Sequence, residues 1–139
     1  MLFEGRIAKK GRFWLIEVPI LDVLTQGRSR REAFAMLADA IESLVNRRGF
    51  RVTVHARAAV DLEVEASDTA AIVALMLKRQ REKHGLSLAD VARRLGQSSR
   101  NAYARYEQGR SIPTVDKLNE LLRCVAPESP LVLRQRPAA

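Results

Sequence analysis

The sequence predicts an α+β protein: a small β-β-(β)-α-β-β domain over residues 1–66, an all-α domain over residues 67–126 and a flexible tail over residues 127–139. Apolar residues alternate with a period of two on either side of one helical segment up to Ala66, and only helical spacing follows Ser67. Six of the seven glycines fall between predicted elements, where residues that tolerate positive φ belong. Basic residues exceed acidic ones by eleven to nine in residues 1–66 and by thirteen to seven in residues 67–139. The spacing of apolar residues and the balance of charges therefore both change between residues 66 and 67.

The composition favours a folded, basic protein. The chain has 139 residues, of which 47% are hydrophobic, a formal net charge of +8 and a sequence pI near 10.5. Such a chain can bury a core, and its charge makes nucleic acid or another polyanion the first partner to consider. The single cysteine, Cys124, excludes an intramolecular disulfide and leaves no CxxC pair for a structural zinc, which indicates a reducing compartment.

The sequence carries no signature of a membrane protein or of the common enzyme classes. The longest uncharged apolar run, Ala70–Leu77, is far shorter than the roughly 18 residues that a membrane span needs, and charges from Glu4 onward interrupt any hydrophobic leader. We therefore expect a cytoplasmic protein without a membrane partner. No HExxH, GxSxG, P-loop or GxGxxG motif occurs, and His55 and His84 fall in different predicted domains. We expect no enzymatic activity, no metal and no cofactor.

A hairpin is predicted to open the first domain. Its strands, Leu2–Ala8 and Arg12–Val18, flank a Lys-Lys-Gly turn, and β-favouring bulk is concentrated in residues 13–16. Ile20–Thr25 can add a short third strand. Together these segments predict one antiparallel sheet at the start of the chain.

A helix and a second pair of strands complete the first domain. Ser29 and Glu32 have the spacing of a capping box, and Gly49 ends a helix whose apolar stripe covers one face of the sheet. Residues 51–65 alternate again, with small and branched apolar side chains toward one side. The other side is charged, with Arg51, His55 and Arg57 opposite Asp61, Glu63 and Glu65. We expect this charged side to be a solvated face.

Four short helices are predicted in the second domain. They cover Ser67–His84, Ser87–Leu95, Ser99–Gln108 and Thr114–Val125, and polar N-cap candidates mark their starts. The residues expected to point inward and form a helical core are Val73, Leu77, Leu86, Leu88, Val91, Ala92, Leu95, Ala102, Tyr106, Ile112, Val115, Leu118, Leu121 and Leu122.

The second and third of these helices, joined by a turn at Gly96, have the arrangement of a helix-turn-helix, in which the later helix enters the DNA major groove. Arginine can bind guanine through two hydrogen bonds and asparagine can bind adenine in the same way. The predicted base-reading residues are Arg100, Asn101 and Arg105, with Ser99 and Ala104 also facing the groove. The predicted phosphate contacts are Arg93, Arg94 and Arg110.

The second half resembles the Cro/XRE helix-turn-helix family over residues 70–126. The resemblance rests on residues 85–96, on Tyr-Ala-Arg-Tyr-Glu-Gln-Gly-Arg at 103–110, and on Ile-Pro-Thr at 112–114. Two positions depart from the family: Leu88 replaces a glutamine that often contacts DNA, and Gln80 replaces a common core leucine. The resemblance implies DNA binding through the third predicted helix.

The first half resembles HicB antitoxins. The resemblance rests on the opening hairpin, on Val-Pro at 18–19, on Leu-Thr-Gln-Gly at 24–27, on Glu-Ala at 32–33 and on Asp-Ala-Ile-Glu at 39–42. It implies a degraded, inactive RNase H-like domain that binds and blocks HicA, a small mRNA-cleaving toxin, while a DNA-binding domain represses the shared operon. The residues proposed to contact such a toxin are Trp14, Arg51, His55 and Glu63, and Trp14 is also a candidate core residue.

Two functions follow from these patterns. In the first, the protein is an antitoxin of HicA/HicB type that neutralises its toxin by direct binding and represses its own operon. In the second, it is a solitary transcriptional repressor whose first domain dimerises or senses an effector. Both predict operator DNA with an inverted repeat and a homodimer or higher even oligomer, because helix-turn-helix proteins bind paired half-sites. Either the helix at 114–125 or an edge strand could form the contact between copies.

Overall fold

A computed structural model describes residues 1–137. In chain order its elements are β1 (Leu2–Lys10), β2 (Phe13–Val18), β3 (Val23–Gly27), α1 (Arg30–Val45), β4 (Val52–Ala56), β5 (Asp61–Ala66), α2 (Thr69–Lys83), α3 (Leu88–Arg94), α4 (Arg100–Glu107) and α5 (Val115–Val125). The predicted α+β class is confirmed. Two residues of the predicted tail, 138 and 139, lie outside the described residues. No helix among residues 1–137 is long and apolar enough to cross a membrane.

The five strands form one antiparallel sheet in the order β3-β2-β1-β5-β4. The register places Ile7 opposite Ile16 and Phe3 opposite Val64, and all four side chains are buried on one face. This face is covered because α1 packs against β2, β3 and β4. The period-two pattern of the sequence therefore sorts apolar residues toward the helices and charged residues toward the other face.

The end of β3 approaches the first turn of α1 so closely that glycine is required there. A Cβ on Gly27 would lie 2.3 Å from the backbone nitrogen of Ala33. Ser29 caps α1 as predicted, since its Oγ accepts a hydrogen bond from the N–H of Glu32 at 3.0 Å. The Glu32 carboxylate accepts from the N–H of Arg28 at 2.7 Å, one residue earlier than a capping box requires. The helix start is thus held to the strand by backbone contact and by two side chains.

The third strand begins later than the sequence suggested. Pro19–Leu21 form a 3-10 turn in place of the start of a strand, since proline suits the first position of a turn and cannot donate to a strand ladder. Asp22 then adopts a left-handed conformation, with φ of 49°, and β3 follows. The prediction of a strand over 20–25 is therefore wrong in its first half. Leu21 is instead fully buried in the core.

Helix α2 lies at the centre of the molecule. Every residue from 71 to 77 is buried, because α2 packs against α1, the 3-10 turn, α4 and α5. The buried side chains of both halves form one hydrophobic cluster. Gln80, at the position of a common family leucine, is 6% exposed and donates its Nε2 hydrogen to the carbonyl of Ile20 at 2.7 Å. The boundary at residue 66 stays a prediction, while α2 and the turn before β3 are joined by buried polar contacts.

The helical core differs from the predicted one at three positions. Ala102 is exposed, and Ile112 and Val115 are 75% and 74% exposed. Tyr103 is fully buried in their place. Tyr106 is half-buried and packs against the core. Helix α4 has only eight residues, and its packing against α2 decides which of its sides faces inward. Ile112 lies in the turn before α5 and Val115 is the first residue of α5. Periodicity in so short a segment could not select the inward face.

The charged side of β4 and β5 is not the fully solvated face that the sequence suggested. Glu63 is 4% exposed, and its carboxylate forms ion pairs with Arg57 at 3.3 Å and with Arg136 of the tail. The tail also reaches Glu4, through Arg134 at 3.4 Å and Arg136 at 3.1 Å. Local alternation cannot predict this burial, because the arginine that covers Glu63 comes from the other end of the chain.

Candidate nucleic-acid interface

Helices α3 and α4 pack against each other and are joined by a turn at Gly96, and a serine side chain caps the start of each helix. Ser87 and Asp90 form a capping box at the start of α3: the N–H of Ser87 donates to Asp90 at 2.8 Å, and the N–H of Asp90 donates to the Ser87 Oγ at 3.0 Å. Gly96, with φ of 72°, ends α3 in the left-handed conformation that glycine adopts without strain. The chain then turns, and α4 begins with its first residues in solvent.

The capping box predicts an acid-dependent loss of stability. The backbone N–H and then the hydroxyl of Ser87 hold the pKa of Asp90 below its ordinary value. Because the folded-state pKa is depressed, the contribution of Asp90 is complete above about pH 4 and is lost as the pH falls through the folded-state pKa. We expect Asp90→Ala to be less stable than the native protein in urea at neutral pH, and the difference to shrink as the pH falls below the ordinary pKa of an aspartate, about 4.

The matched control for that prediction is Asp116→Ala, which removes a first-turn carboxylate from α5 without removing a capping box. Its effect at neutral pH is expected to be the smaller of the two. An Asp90→Ala deficit that stays constant from neutral to acid pH would mean that the charge of Asp90 does not contribute.

The first turn of α4 carries the predicted base-reading residues. Ser99 is the N-cap, and its Oγ accepts from the N–H of Asn101 at 3.2 Å. Arg100 and Asn101 follow it and are exposed. One turn further, Ala104 is half-buried and Arg105 is exposed. Residues four positions apart share one side of a helix, so Ala104 lies on the side of Arg100 and Arg105 on the side of Asn101. The base-reading role of these side chains stays a prediction, and their placement at the exposed start of α4 is compatible with it.

The three predicted phosphate contacts have different surroundings. Arg93 is exposed and forms an ion pair with Asp90 at 3.2 Å. Arg94 is also exposed, and its guanidinium donates to the carbonyl of Cys124 at the end of α5 at 2.7 Å. Arg110, in the turn after α4, is exposed and forms no ion pair among residues 1–137. Of the three, Arg110 has the guanidinium most available to an external anion.

A buried ion pair orients α4, and sequence reasoning did not identify it. The guanidinium of Arg81 in α2 donates to both carboxylate oxygens of Glu107 at the end of α4, at 2.7 and 2.9 Å. The Arg81 side chain is 13% exposed and that of Glu107 is 6% exposed. The hydrogen bond to Glu107 raises the pKa of Arg81, so the guanidinium stays charged despite its burial. The Glu-x-Gly-Arg motif contains Glu107, but nothing in the sequence marks Arg81 as its partner.

A buried tyrosine packs beside this pair. Tyr103 is fully buried, and burial followed by the nearby Glu107 carboxylate raises the pKa of its phenol far above the ordinary value. Burial therefore favours the neutral phenol over the phenolate. Tyr103, from the first half of α4, and Glu107, at its end, together hold α4 against α2.

The chain matches a known family over this region. Residues 77–124 match the helix-turn-helix family HTH_3. This segment is a helix-turn-helix. It contains α3, the Gly96 turn, α4 and most of α5, and the predicted Cro/XRE-type helix-turn-helix is confirmed over this range. The helix-turn-helix indicates a DNA-binding transcription regulator. No curated protein matches the chain.

The residues proposed for toxin binding do not form one surface. Trp14 is half-buried against the core, opposite Gly27 on the helix-covered face of the sheet. His55 is exposed on the other face, where its Nε2 lies 3.0 Å from Glu65. Glu63 lies on that same face under the tail, and Arg51 is exposed just before β4. Their role in binding a partner stays a prediction.

Proposed function

We propose that the protein is an autorepressing antitoxin of HicA/HicB type, in which the helix-turn-helix binds operator DNA and the α+β half binds a small mRNA-cleaving toxin. The observation that carries the DNA-binding part is the pair of exposed side chains, Arg100 and Asn101, at the start of α4 within a matched helix-turn-helix. Their chemistry suits guanine and adenine edges in the major groove.

Support for the toxin-binding part comes from the first half of the chain. Its sequence resembles HicB antitoxins in the hairpin and helix segments quoted above. Its sheet is covered by α1 on one face, and its two edge strands, β3 and β4, each have one side without a neighbouring strand in the described chain. A sheet with such edges can bind another protein without unfolding. We propose that the protein blocks its toxin by stoichiometric binding in the cytoplasm and has no catalytic activity of its own.

The DNA-binding proposal predicts the effect of removing a base contact. Arg100→Ala is expected to weaken binding to a selected operator by about 1–3 kcal/mol, roughly fivefold to 150-fold, and to reduce the preference at one base position. The operator is first selected from a random duplex library with the native protein, and affinities are then measured by fluorescence anisotropy. Arg31→Ala removes an equal charge from α1 and is the control, for which little change is expected.

Two results would contradict that role. An equal loss for Arg100→Ala on operator and on random duplex would make Arg100 a phosphate contact. Failure of the native protein to select any sequence would remove operator recognition altogether.

The toxin-binding proposal is tested by purifying the tagged full chain from its own cells at moderate salt and measuring the intact mass of what co-purifies. The expected partner is a small basic protein in near-stoichiometric amount, whose expression alone arrests growth. If only DNA, or nothing, co-purifies, the solitary repressor becomes the better description, and the first half would dimerise or bind an effector.

A further inference from the structure

A cleft of about 300 Å³ lies where α1, α2 and the turn after α4 meet. Three cationic residues line it: Arg47 just after α1, Lys78 in α2 and Arg110 in the turn after α4. Ala71, Ala74 and Leu75 of α2 also line it. The cleft therefore places three cationic side chains around one concave surface, where their attraction for an anion adds.

The acidic groups near this cleft are already neutralised. Glu107, which also lines it, is bound on both oxygens by Arg81. Asp68 accepts a hydrogen bond from Arg47 at 3.2 Å. Lys78 is exposed, and within residues 1–137 neither Lys78 nor Arg110 forms an ion pair. The cleft therefore keeps an excess of positive charge.

Arg47 belongs to the first half of the chain but lies against the helix-turn-helix. Its Nη2 is 3.4 Å from the carbonyl of Gln108, to which it donates a hydrogen bond. A Cβ on Gly109 would lie 2.8 Å from the same nitrogen, so the absence of a side chain at Gly109 makes room for the guanidinium. Arg47 is thus placed beside Arg110, the predicted phosphate contact with no ion-pair partner in the described chain.

We propose that this cleft is a binding site for backbone phosphates of the DNA duplex, so that the first half of the chain contributes Arg47 and α2 contributes Lys78 to DNA binding. The inference rests on the proposed DNA-binding function. Helix-turn-helix proteins hold the duplex by phosphate contacts on the elements that flank the recognition helix, and Arg110 joins the cleft directly to α4. Non-specific DNA is the probe, because phosphate contacts do not depend on base sequence.

The test measures the salt dependence of binding to one random duplex of about 30 base pairs, by anisotropy over a series of NaCl concentrations. Each phosphate neutralised contributes about 0.9 to the slope of log K against log salt concentration. Lys78→Ala and Arg47→Ala are each expected to lower the slope by about one unit and to weaken binding at low salt. Arg47→Lys is expected to keep the native slope, because the charge remains.

Controls separate this effect from unfolding and from total charge. Lys10→Ala removes one charge at the end of β1, away from the helices, and is expected to leave the slope unchanged. Arg47→Ala also loses its contacts with Asp68 and Gln108, so its thermal melting is measured alongside. The native Lys78 forms no ion pair within the described chain, so Lys78→Ala removes a charge without breaking a contact of that kind. This variant therefore tests the proposal even if Arg47→Ala is unstable.

Three outcomes would overturn the inference. Native slopes for both alanine variants, with duplex binding intact, would confine the phosphate contacts to the helix-turn-helix and leave the proposed function standing. A native slope for Lys78→Ala, together with stabilisation of the native protein but not of that variant by inorganic phosphate, would make the cleft a site for a free small anion. Absence of duplex binding by the native chain would remove both the cleft's role and the proposed function.

Discussion

Replacing Arg81 with alanine is expected to lower the free energy of unfolding by about 3–5 kcal/mol, because it leaves the Glu107 carboxylate buried and unpaired. The two side chains are joined by two hydrogen bonds and are 13% and 6% exposed. Arg81 also donates to the carbonyl of Leu86 at 2.8 Å, so the substitution removes a second support of the turn between α2 and α3. Urea unfolding followed by circular dichroism measures the loss.

DNA binding is expected to fall in the same variant, because Glu107 ends α4 and the pair fixes how that helix leaves the core. Arg81→Lys keeps the charge but cannot place two parallel donors on one carboxylate, so an intermediate loss of stability is expected. The matched control is Lys117→Ala, which breaks the more exposed pair with Glu120 and should cost at most about 1 kcal/mol. A loss in Arg81→Ala no greater than in this control would show that the buried pair does not orient α4.

Tyr103→Ala is expected to cost about 3–5 kcal/mol, the range for truncating a fully buried large aromatic side chain. Tyr103 has no exposed surface, whereas Tyr106, one turn away on the same helix, is half-buried. Tyr106→Ala removes the same atoms from the same short helix and is therefore a matched comparison. Its cost should be clearly smaller, and both are measured by urea unfolding at neutral pH.

The order of these two costs tests the orientation of α4 about its axis. The sequence pattern alone placed Ala102 and Tyr106 inside, whereas the structure exposes Ala102, leaves Tyr106 half-buried and fully buries Tyr103. A larger loss for Tyr106→Ala than for Tyr103→Ala would rotate α4 and contradict the exposed placement of Arg100 and Asn101. The prediction therefore bears on the candidate DNA surface as well as on stability.

The elements that sequence reasoning predicted well are those decided by neighbouring residues. The opening hairpin, the Ser29 cap and the capping box of Ser87 each depend on groups within a few positions of one another. The start of β3 was missed because the proline turn competes with strand propensity at Ile20 and Leu21. Interactions between residues close in the sequence therefore explain both the confirmed elements and the error at the start of β3.

The candidate site likewise has residues that the sequence identifies and contacts that it does not. Arg100 and Asn101 could be named from the order of caps, turn and helix, and they lie exposed at the start of α4. The Arg81–Glu107 pair, the Gln80 contact with Ile20 and the Arg47 contact with Gln108 could not be named, because each joins residues that are distant in the chain. Charge and residue type restrict such partners but do not select them.

The sequence by itself determined the α+β class, the order of most elements and the presence of a helix-turn-helix within residues 67–126, because period, glycine placement and N-caps are local properties. Only the tertiary structure decided that Glu63 is buried beneath the tail, that Tyr103 faces the core and that α2 joins the two halves. These outcomes depend on which distant surfaces meet when the chain folds. Burial and ion pairing depend on these long-range contacts, and the pattern of residues along the chain does not specify them.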